Sequence, residues 1–529
     1  MTQGIIAAGS VHTAEAGAEM LRAGGNAVDA AVAACFASFM AEPTLVAPGG
    51  GGFALVFRQR DAHAWLYDFF VDFPGKGMAR EAWPSPPDFY PITVDYGPTH
   101  QIFHIGRASV ATPGLIAGLC RLQEDLGTFP LAEVLQPAIQ LARNGVPLGD
   151  FGAYVGEILH GIFSADETLA RLFGAPNAFL RPDTLYKNPD LADFLEALGR
   201  EGPDLFYRGD IAQAILADQR AHGGLLTPQD LAEYQVIVRE PLHQHYRQYE
   251  FLTNPPPSRG GVLIAFSLAL LEEYALPRIP FGSPSHLELL TEVMRQTDLA
   301  RPTFEITGDA GFFLARPHIE EHAAELARRL RSHARHHPEV PVPPREHSNT
   351  SHLSVLDGQG NLIALTTTAG EGPGFIVPGT GIILNNILGE ADLHPNGFLQ
   401  GEPGKRIGSM MAPTLVLKDN KPVLAVGSGG ANRIRSAILQ VFLNYTDMHM
   451  DLTHAVDAPR IHFERNGLQM EPGFPRETVE KLREWGYDIT LWPSRHMFFG
   501  GAHSVGLSPA GYFEGAGDAR RAGAVVRVI

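Results

Sequence analysis

The stretch that decides the reading of this chain is Asn349-Thr350-Ser351-His352-Leu353-Ser354-Val355-Leu356, followed by Asp357-Gly358-Gln359-Gly360-Asn361 and then by Leu362-Ile363-Ala364-Leu365-Thr366-Thr367-Thr368. Two apolar, β-prone runs flank a cluster of turn-forming residues, which reads as strand, turn, strand. With the loop centred on Gln359, Thr350 stands opposite Thr368. Directly opposed residues have Cβ atoms about 5 Å apart, so the Thr368 hydroxyl is expected to reach the Thr350 nitrogen or oxygen. A slip of one residue would send the two side chains to opposite faces. The plain alternative is that Thr366, Thr367 and Thr368 form a β-propensity run and Thr350 an ordinary strand entry.

Thr350 matters because of what a cut before it creates. An N-terminal threonine carries a hydroxyl nucleophile and a free α-amine whose reference pKa of roughly 8 suits a general base at neutral pH. Farther on, Pro422–Val426 reads as a strand, followed by Gly427-Ser428-Gly429-Gly430-Ala431-Asn432 and a helical pattern from Arg433 to Leu443. A strand-glycine-helix junction gathers backbone N–H groups at the positive end of a helix, which suits an oxyanion. A plain tight turn is the other reading.

Outward from this core, Gly4–Gly9 reads as a strand, and Thr13–Arg22 as a helix ended by Gly24-Gly25. Asn26–Phe39 reads as an alanine-rich helix and Phe53–Phe57 as a strand. Gly49–Gly52 is no phosphate loop, because no Lys-Ser/Thr follows and the next element is a strand. A long helical middle is expected from about Pro113 to Ala334, interrupted by the turn Pro255-Pro256-Pro257-Ser258-Arg259-Gly260-Gly261. The main boundary is expected in the proline-rich residues 336–349, with β content rising after it.

At 529 residues and 44% apolar content the chain can fill a large layered core. No apolar run reaches the ~20 residues that span a bilayer, so no membrane partner is expected. The formal net charge of −17 argues against a nucleic-acid partner. Arg328 to His337 reads as a solvated helix end running into a linker rather than a basic patch or metal tract. Cys35 and Cys120 read as small core residues, not a disulfide or metal site. No metal and no cofactor are expected. The N-terminus lacks the basic and apolar regions of a signal peptide, which favours a cytoplasmic location, or a periplasmic or secreted one if a leader has been removed.

Taken together these motifs resemble the γ-glutamyltransferase family of N-terminal nucleophile hydrolases, which cut themselves into a large and a small subunit. The resemblance runs along nearly the whole chain. It rests on Thr13–Gly17, Ala23–Ala31, Gly49–Phe53, Thr112–Gly114, Pro255–Ser258, Thr350–His352, Gly381–Asn386, Ser409-Met410, Pro413-Thr414 and Arg433-Ile434. It implies an α+β fold, a four-layer αββα sandwich of two stacked, mainly antiparallel sheets between helices. It implies a large-subunit region 1–349 and a small-subunit region 350–529 that stay associated within one unit. A homo-oligomer is left open.

By the same resemblance Thr350 is the nucleophile and Thr368 its supporting threonine. Gly430 and Ala431 match the oxyanion-hole pair, with Ala in place of the second glycine. Glu390 lies where the family places an Asp that holds the substrate α-amine, and Ser409 and Met410 lie where it has two serines. Phe70 occupies the position of the arginine that holds the substrate α-carboxylate, a contact a phenyl ring cannot make. Gly370 replaces an Asn and Ile387 a Gln, and the span from Glu390 to Ser409 is short for a lid. A more open, more apolar pocket is expected, with Arg107 and Arg259 as candidate substitutes for the lost arginine. The implied activity is hydrolysis of γ-glutamyl amides through a Thr acyl-enzyme, with hydrolysis favoured over transfer. The alternatives are a cephalosporin (glutaryl-type) acylase and a catalytically idle homologue with a binding role.

Overall fold

A computed structural model describes residues 1–95, 100–332, 349–394 and 397–529. The stretch Asn349–Thr368 forms the hairpin expected of it. Ser351–Asp357 pairs antiparallel with Leu362–Thr368, from Ser351 opposite Thr367 to Leu356 opposite Leu362. The Asp357 side chain fixes the turn: its Oδ1 accepts from the Gln359 and Asn361 amides, both at 2.9 Å. Its Oδ2 accepts from the Asn361 side chain at 2.8 Å and from the Ala27 amide at 3.0 Å, which ties the turn to the start of a helix. One aspartate thus sets both the register and the docking of the hairpin.

In chain order the strands of the two main sheets are β1 (Gly4–Ala8), β2 (Gly51–Arg58), β3 (His63–Phe69), β4 (Ile237–Arg239), β5 (Leu242–Tyr246), β6 (Tyr249–Thr253), β7 (Ser351–Asp357), β8 (Leu362–Thr368), β9 (Thr414–Lys418), β10 (Lys421–Val426), β11 (Ser504–Leu507), β12 (Phe513–Ala516) and β13 (Ala524–Val528). The first sheet runs β13-β1-β7-β8-β2-β3-β4 and the second β12-β11-β10-β9-β6-β5. Every pairing in both is antiparallel. Each sheet contains strands from before and after residue 350, so neither segment completes a sheet by itself.

Alternation along the strands builds the layers. Ile5, Phe53, Leu55, Phe57, Leu362 and Ala364 share one core with Leu415, Leu424 and Val505 of the second sheet and with the helices Gly260–Leu271 and Arg433–Thr446. Ile6, Ala54, Val56, Leu353, Val355, Ile363 and Leu365 point the other way, into a core made with the helices Val11–Ala23 and Ala27–Ala41. The result is the αββα sandwich. Gly17 lets the first helix close on its neighbours, since a Cβ there would lie 2.4 Å from Ile6 and 2.7 Å from the Ala30 carbonyl. Asn26 and Asp29 form a capping box that starts the second helix.

Two expectations need correction. The middle of the chain does carry helices from Leu115 onward, but it also supplies β4, β5 and β6. Leu242-His243-Gln244-His245-Tyr246 alternates burial but has polar residues at its three central positions, which hid its strand character. Of the helix end expected to be solvated, Arg328 and Arg331 are exposed, but Arg329 turns inward, its Nε 2.5 Å from a buried Glu292 oxygen. The expected boundary and His333–His337 fall outside the described residues, apart from Asn349. Cys35 and Cys120 are both buried. Among the described residues, no helix is long and apolar enough to cross a membrane.

The C-terminal strand is pinned by a buried ionic cluster. Asp518 is fully buried between Arg460, at 2.7 Å, and Arg520, at 3.2 Å, and also accepts the Ala502 amide at 2.9 Å. Arg520 in turn binds Glu471 at 2.5 Å. Burial works to raise the Asp518 carboxyl, but Arg460 and Arg520 overcome it and hold it well below the usual carboxylate range. A depressed pKa gives stability that is complete above the unfolded value, about 3.9, and is lost as pH falls through the folded value. Asp518→Ala leaves the buried Arg460 guanidinium without a carboxylate and Arg520 with Glu471 alone, and is expected to cost roughly 3–5 kcal/mol at neutral pH. A urea titration checks this, and an unchanged midpoint would contradict it.

Candidate active site

Thr350 sits at the entry to β7, 2% exposed, on the face of the hairpin turned toward the second sheet. In the uncut chain its neighbour Asn349 is held at three points. The Asn349 amide donates to Glu371 Oε1 at 3.1 Å, and its side-chain nitrogen donates to the Thr44 carbonyl at 2.9 Å. The Thr368 hydroxyl donates to the Asn349 carbonyl in a short hydrogen bond, while its oxygen accepts the Gly370 amide at 3.0 Å. The expected contact from Thr368 to the Thr350 amine or hydroxyl is therefore shifted to the adjoining carbonyl. The reason is covalent: before the cut the Thr350 nitrogen is an amide, and the acceptor beside it is the carbonyl of the same peptide.

The glycine turn closes on this peptide from the second sheet. Gly427 packs on the His352 ring, where a Cβ would lie 2.4 Å from Cε1. A Cβ on Gly429 would lie 2.1 Å from the Thr350 carbonyl oxygen, so any larger residue would push the turn away. Gly430 (φ 115°) and Ala431 (φ 47°) both adopt left-handed backbone, and the Arg433 amide bonds back to the Gly430 carbonyl at 2.9 Å as the helix Arg433–Thr446 begins. Ala431 bears a strain of about 1–2 kcal/mol in that conformation, set against the placement of its amide at the helix N-terminus. The expected oxyanion pair and the nucleophile thus come to one place.

Arg521 is not legible as a site residue from the sequence. Its Nη1 donates to the Thr350 carbonyl at 3.1 Å, and its guanidinium lies 2.9 Å from where a Gly429 Cβ would stand. It reaches the site from β13's approach, which the Asp518 cluster holds. His352, by contrast, is structural: Nδ1 pairs with Thr366 at 2.8 Å and Nε2 with Ser354 at 2.9 Å. Burial and the nearby His503 keep it far below its ordinary pKa, hence neutral.

The expected apolar character is corrected. Beside Thr368, Gly370 (φ 66°) leaves space that Glu390 fills, for a Cβ there would lie 2.5 Å from Glu390 Oε1 and 2.2 Å from Asn386 Oδ1. Glu371 and Glu390 are each 2% exposed. Burial pushes the Glu371 carboxyl up to about 8, partly opposed by the Asn349 amide and Arg521. Burial likewise raises Asp392, with Arg259 and Arg433 pulling it back. Where the resemblance implies an Asn, Gly370 leaves room for a carboxyl.

Through their backbone carbonyls, Ser409 and Met410 hold a loop. The Ser409 carbonyl accepts the Arg259 amide at 2.7 Å and the Ser258 hydroxyl at 3.0 Å, and the Met410 carbonyl presses on Gly260. Phe70 is buried and stacks on Phe53 with centroids 5.6 Å apart. Neither candidate substitute is a lone surface arginine. Arg107 pairs with Asp218 at 3.2 Å and lies 4.0 Å above the Phe375 ring, and Arg259 pairs with Glu305 at 3.3 Å. Among the described residues, no group of three or more His, Cys, Asp or Glu side chains is arranged to hold a metal ion.

Comparisons with known proteins agree with this geometry. The gamma-glutamyltranspeptidase family model matches residues 13–528. The chain is 33% identical to the acylase ACY 1 proenzyme of Pseudomonas sp. (strain SE83), over 100% of this chain and 94% of that protein. It is 31% identical to the glutathione hydrolase proenzyme of Escherichia coli (strain K12), over 98% of this chain and 90% of that one. The crystal structure of cephalosporin acylase from Bacillus halodurans superposes with a TM-score of 0.83 at 25% identity, covering 99% of this chain and 96% of that one. With its αββα layers, and with Thr350 set between Thr368 and the glycine turn, this chain belongs to the gamma-glutamyltranspeptidase family.

Proposed function

We propose that this protein is a self-processing amide hydrolase whose nucleophile is Thr350, acting first on γ-glutamyl amides with water as the acceptor. The observation that carries the reading is the short hydrogen bond from Thr368 to the Asn349 carbonyl, made where the Gly427–Ala431 turn closes on Thr350. A donor already on the carbonyl oxygen withdraws electron density from the carbon that must be attacked.

Self-cleavage follows in two steps. The Thr350 hydroxyl oxygen bonds to the Asn349 carbonyl carbon as the C–N bond breaks, and the hydroxyl proton ends on the nitrogen, which becomes the Thr350 α-amine. Water then hydrolyses the ester, giving an Asn349 carboxylate and regenerating the hydroxyl. In turnover the α-amine accepts the hydroxyl proton, the oxygen attacks the substrate amide, and the Gly430 and Ala431 amides stabilise the tetrahedral oxyanion. The leaving amine takes the proton, and water releases the acyl group.

A second reading, a glutaryl-type acylase, is favoured by the similarity to acylase proenzymes. Turnover of γ-glutamyl-p-nitroanilide against glutaryl-p-nitroanilide separates the two. The first reading expects nitroaniline from the γ-glutamyl substrate, abolished in Thr350→Ala. No release from that substrate, with release from the glutaryl one, assigns the acylase reading.

Thr368→Val keeps the shape and removes the donor. It is expected to slow self-cleavage by about 10²–10³-fold, the usual cost of one oxyanion donor. A gel time course of freshly made chain measures this, and a wild-type rate would remove Thr368 from the mechanism.

A further inference from the structure

Glu371 is the buried group that the mechanism of self-cleavage and turnover leaves without a task. Its Oε1 accepts the Asn349 amide at 3.1 Å, and its Oε2 is buried with no hydrogen-bond partner among the described residues. A buried acceptor without a donor is costly, and a buried carboxylate more so. The uncut chain supplies Glu371 with the Asn349 amide; the cut breaks only the bond after Asn349, so this donor is lost when residue 349 moves away as a new chain end, not at the cut itself. The cut also adds an Asn349 carboxylate near a Glu371 carboxyl that burial already keeps from ionising, and the two can stay together there only by sharing a proton. Departure of residue 349 then leaves both Glu371 oxygens facing the space next to Thr350.

What fits that space is set by the charges around it. Glu390 approaches Gly370 from the other side, so two carboxyl groups flank the residues that follow Thr368. Asp392 adds a third acidic charge felt by Glu371, against the guanidinium groups of Arg521 and Arg433. Of these, Arg521 is bonded to the Thr350 carbonyl, and Arg433 lies 4.8 Å over the Phe498 ring. Phe70 offers a substrate carboxylate no cation, and Arg107 and Arg259 are each engaged by a carboxylate of the chain itself. An ammonium brings three donors and a positive charge, which answers both the unpaired oxygen and the acidic surroundings. The push of the Glu371 carboxyl to about 8 agrees with a carboxyl that has no adequate counter-charge of its own.

Resting on the proposed amide hydrolase, we propose that Glu371 acts twice: it holds the Asn349 amide in the uncut chain, and after cleavage it accepts the ammonium of the substrate acyl group. The site therefore selects acyl groups by an amine and has no requirement for a carboxylate.

Three p-nitroanilides test this on the processed protein: 4-aminobutyryl (amine only), γ-glutamyl (amine and carboxylate) and glutaryl (carboxylate only). The wild type is expected to give the two amine-bearing substrates similar KM values and glutaryl a KM about tenfold higher or more, the scale of one lost charged hydrogen bond. Glu371→Gln is expected to raise KM about tenfold for both amine-bearing substrates and leave the glutaryl KM nearly unchanged, with Glu371→Asp recovering part of the loss. A wild type with its lowest KM for glutaryl overturns the inference, whether or not the variants mature. So does a rise in KM for all three substrates alike. In both cases hydrolysis by Thr350 stands. No nitroaniline from any of the three, from protein already cut at Thr350, overturns the hydrolase reading together with this one.

Discussion

The hydrogen bond from the Thr368 hydroxyl to the Asn349 carbonyl can form only if β7 and β8 pair in a single register. That register rests on Asp357, which bonds the amides of its own turn and the first amide of the helix Ala27–Ala41. A slip of one position would turn Thr368 to the helical side of the sheet and leave the carbonyl without its donor. It would also exchange the two cores, sending Leu362 and Ala364 out of the inter-sheet layer and Ile363 and Leu365 into it. The packing of some dozens of apolar side chains and the placing of one hydroxyl are therefore a single requirement.

The second sheet meets this hairpin through a turn with no side chains to spare. Gly427 lies on His352 and Gly429 on the Thr350 carbonyl, while Gly430 and Ala431 bend the backbone into the helix Arg433–Thr446. The Asp518 cluster fixes the far edge, so that Arg521 arrives at the same carbonyl from the C-terminal strand. Three parts of the chain distant in sequence thus converge on one peptide bond, each held by contacts outside the site.

Much of this is legible in the amino-acid sequence alone. The turn cluster Asp357–Asn361 announces the hairpin, its centre pairs Thr350 with Thr368, and the glycines after Val426 announce a strand-to-helix junction. Local patterns carry such information because turns, caps and alternation are local physics. Strands β5 and β6 escape such a reading because each is only five residues long and mixes its buried Tyr246, Phe251 and Leu252 with polar residues, so no clear alternation marks them. Arg521 escapes it because its contact with Thr350 spans 171 positions and follows from where the Asp518 cluster sets β13. The polarity of the pocket is hidden for a related reason: a Gly at position 370 reads as a lost side chain, and only the folded chain shows Glu390 in the vacated space.

In the proposed mechanism, Thr350 gains its chemistry only when its own peptide bond is broken. Intact-mass measurement of the purified protein, with N-terminal sequencing of its fragments, tests that most directly. The expected result is two associated fragments, residues 1–349 and 350–529, the second beginning with Thr350, and a single uncut chain in Thr350→Ala. A wild-type protein that remains one 529-residue chain, or a cut at any other bond, would contradict it.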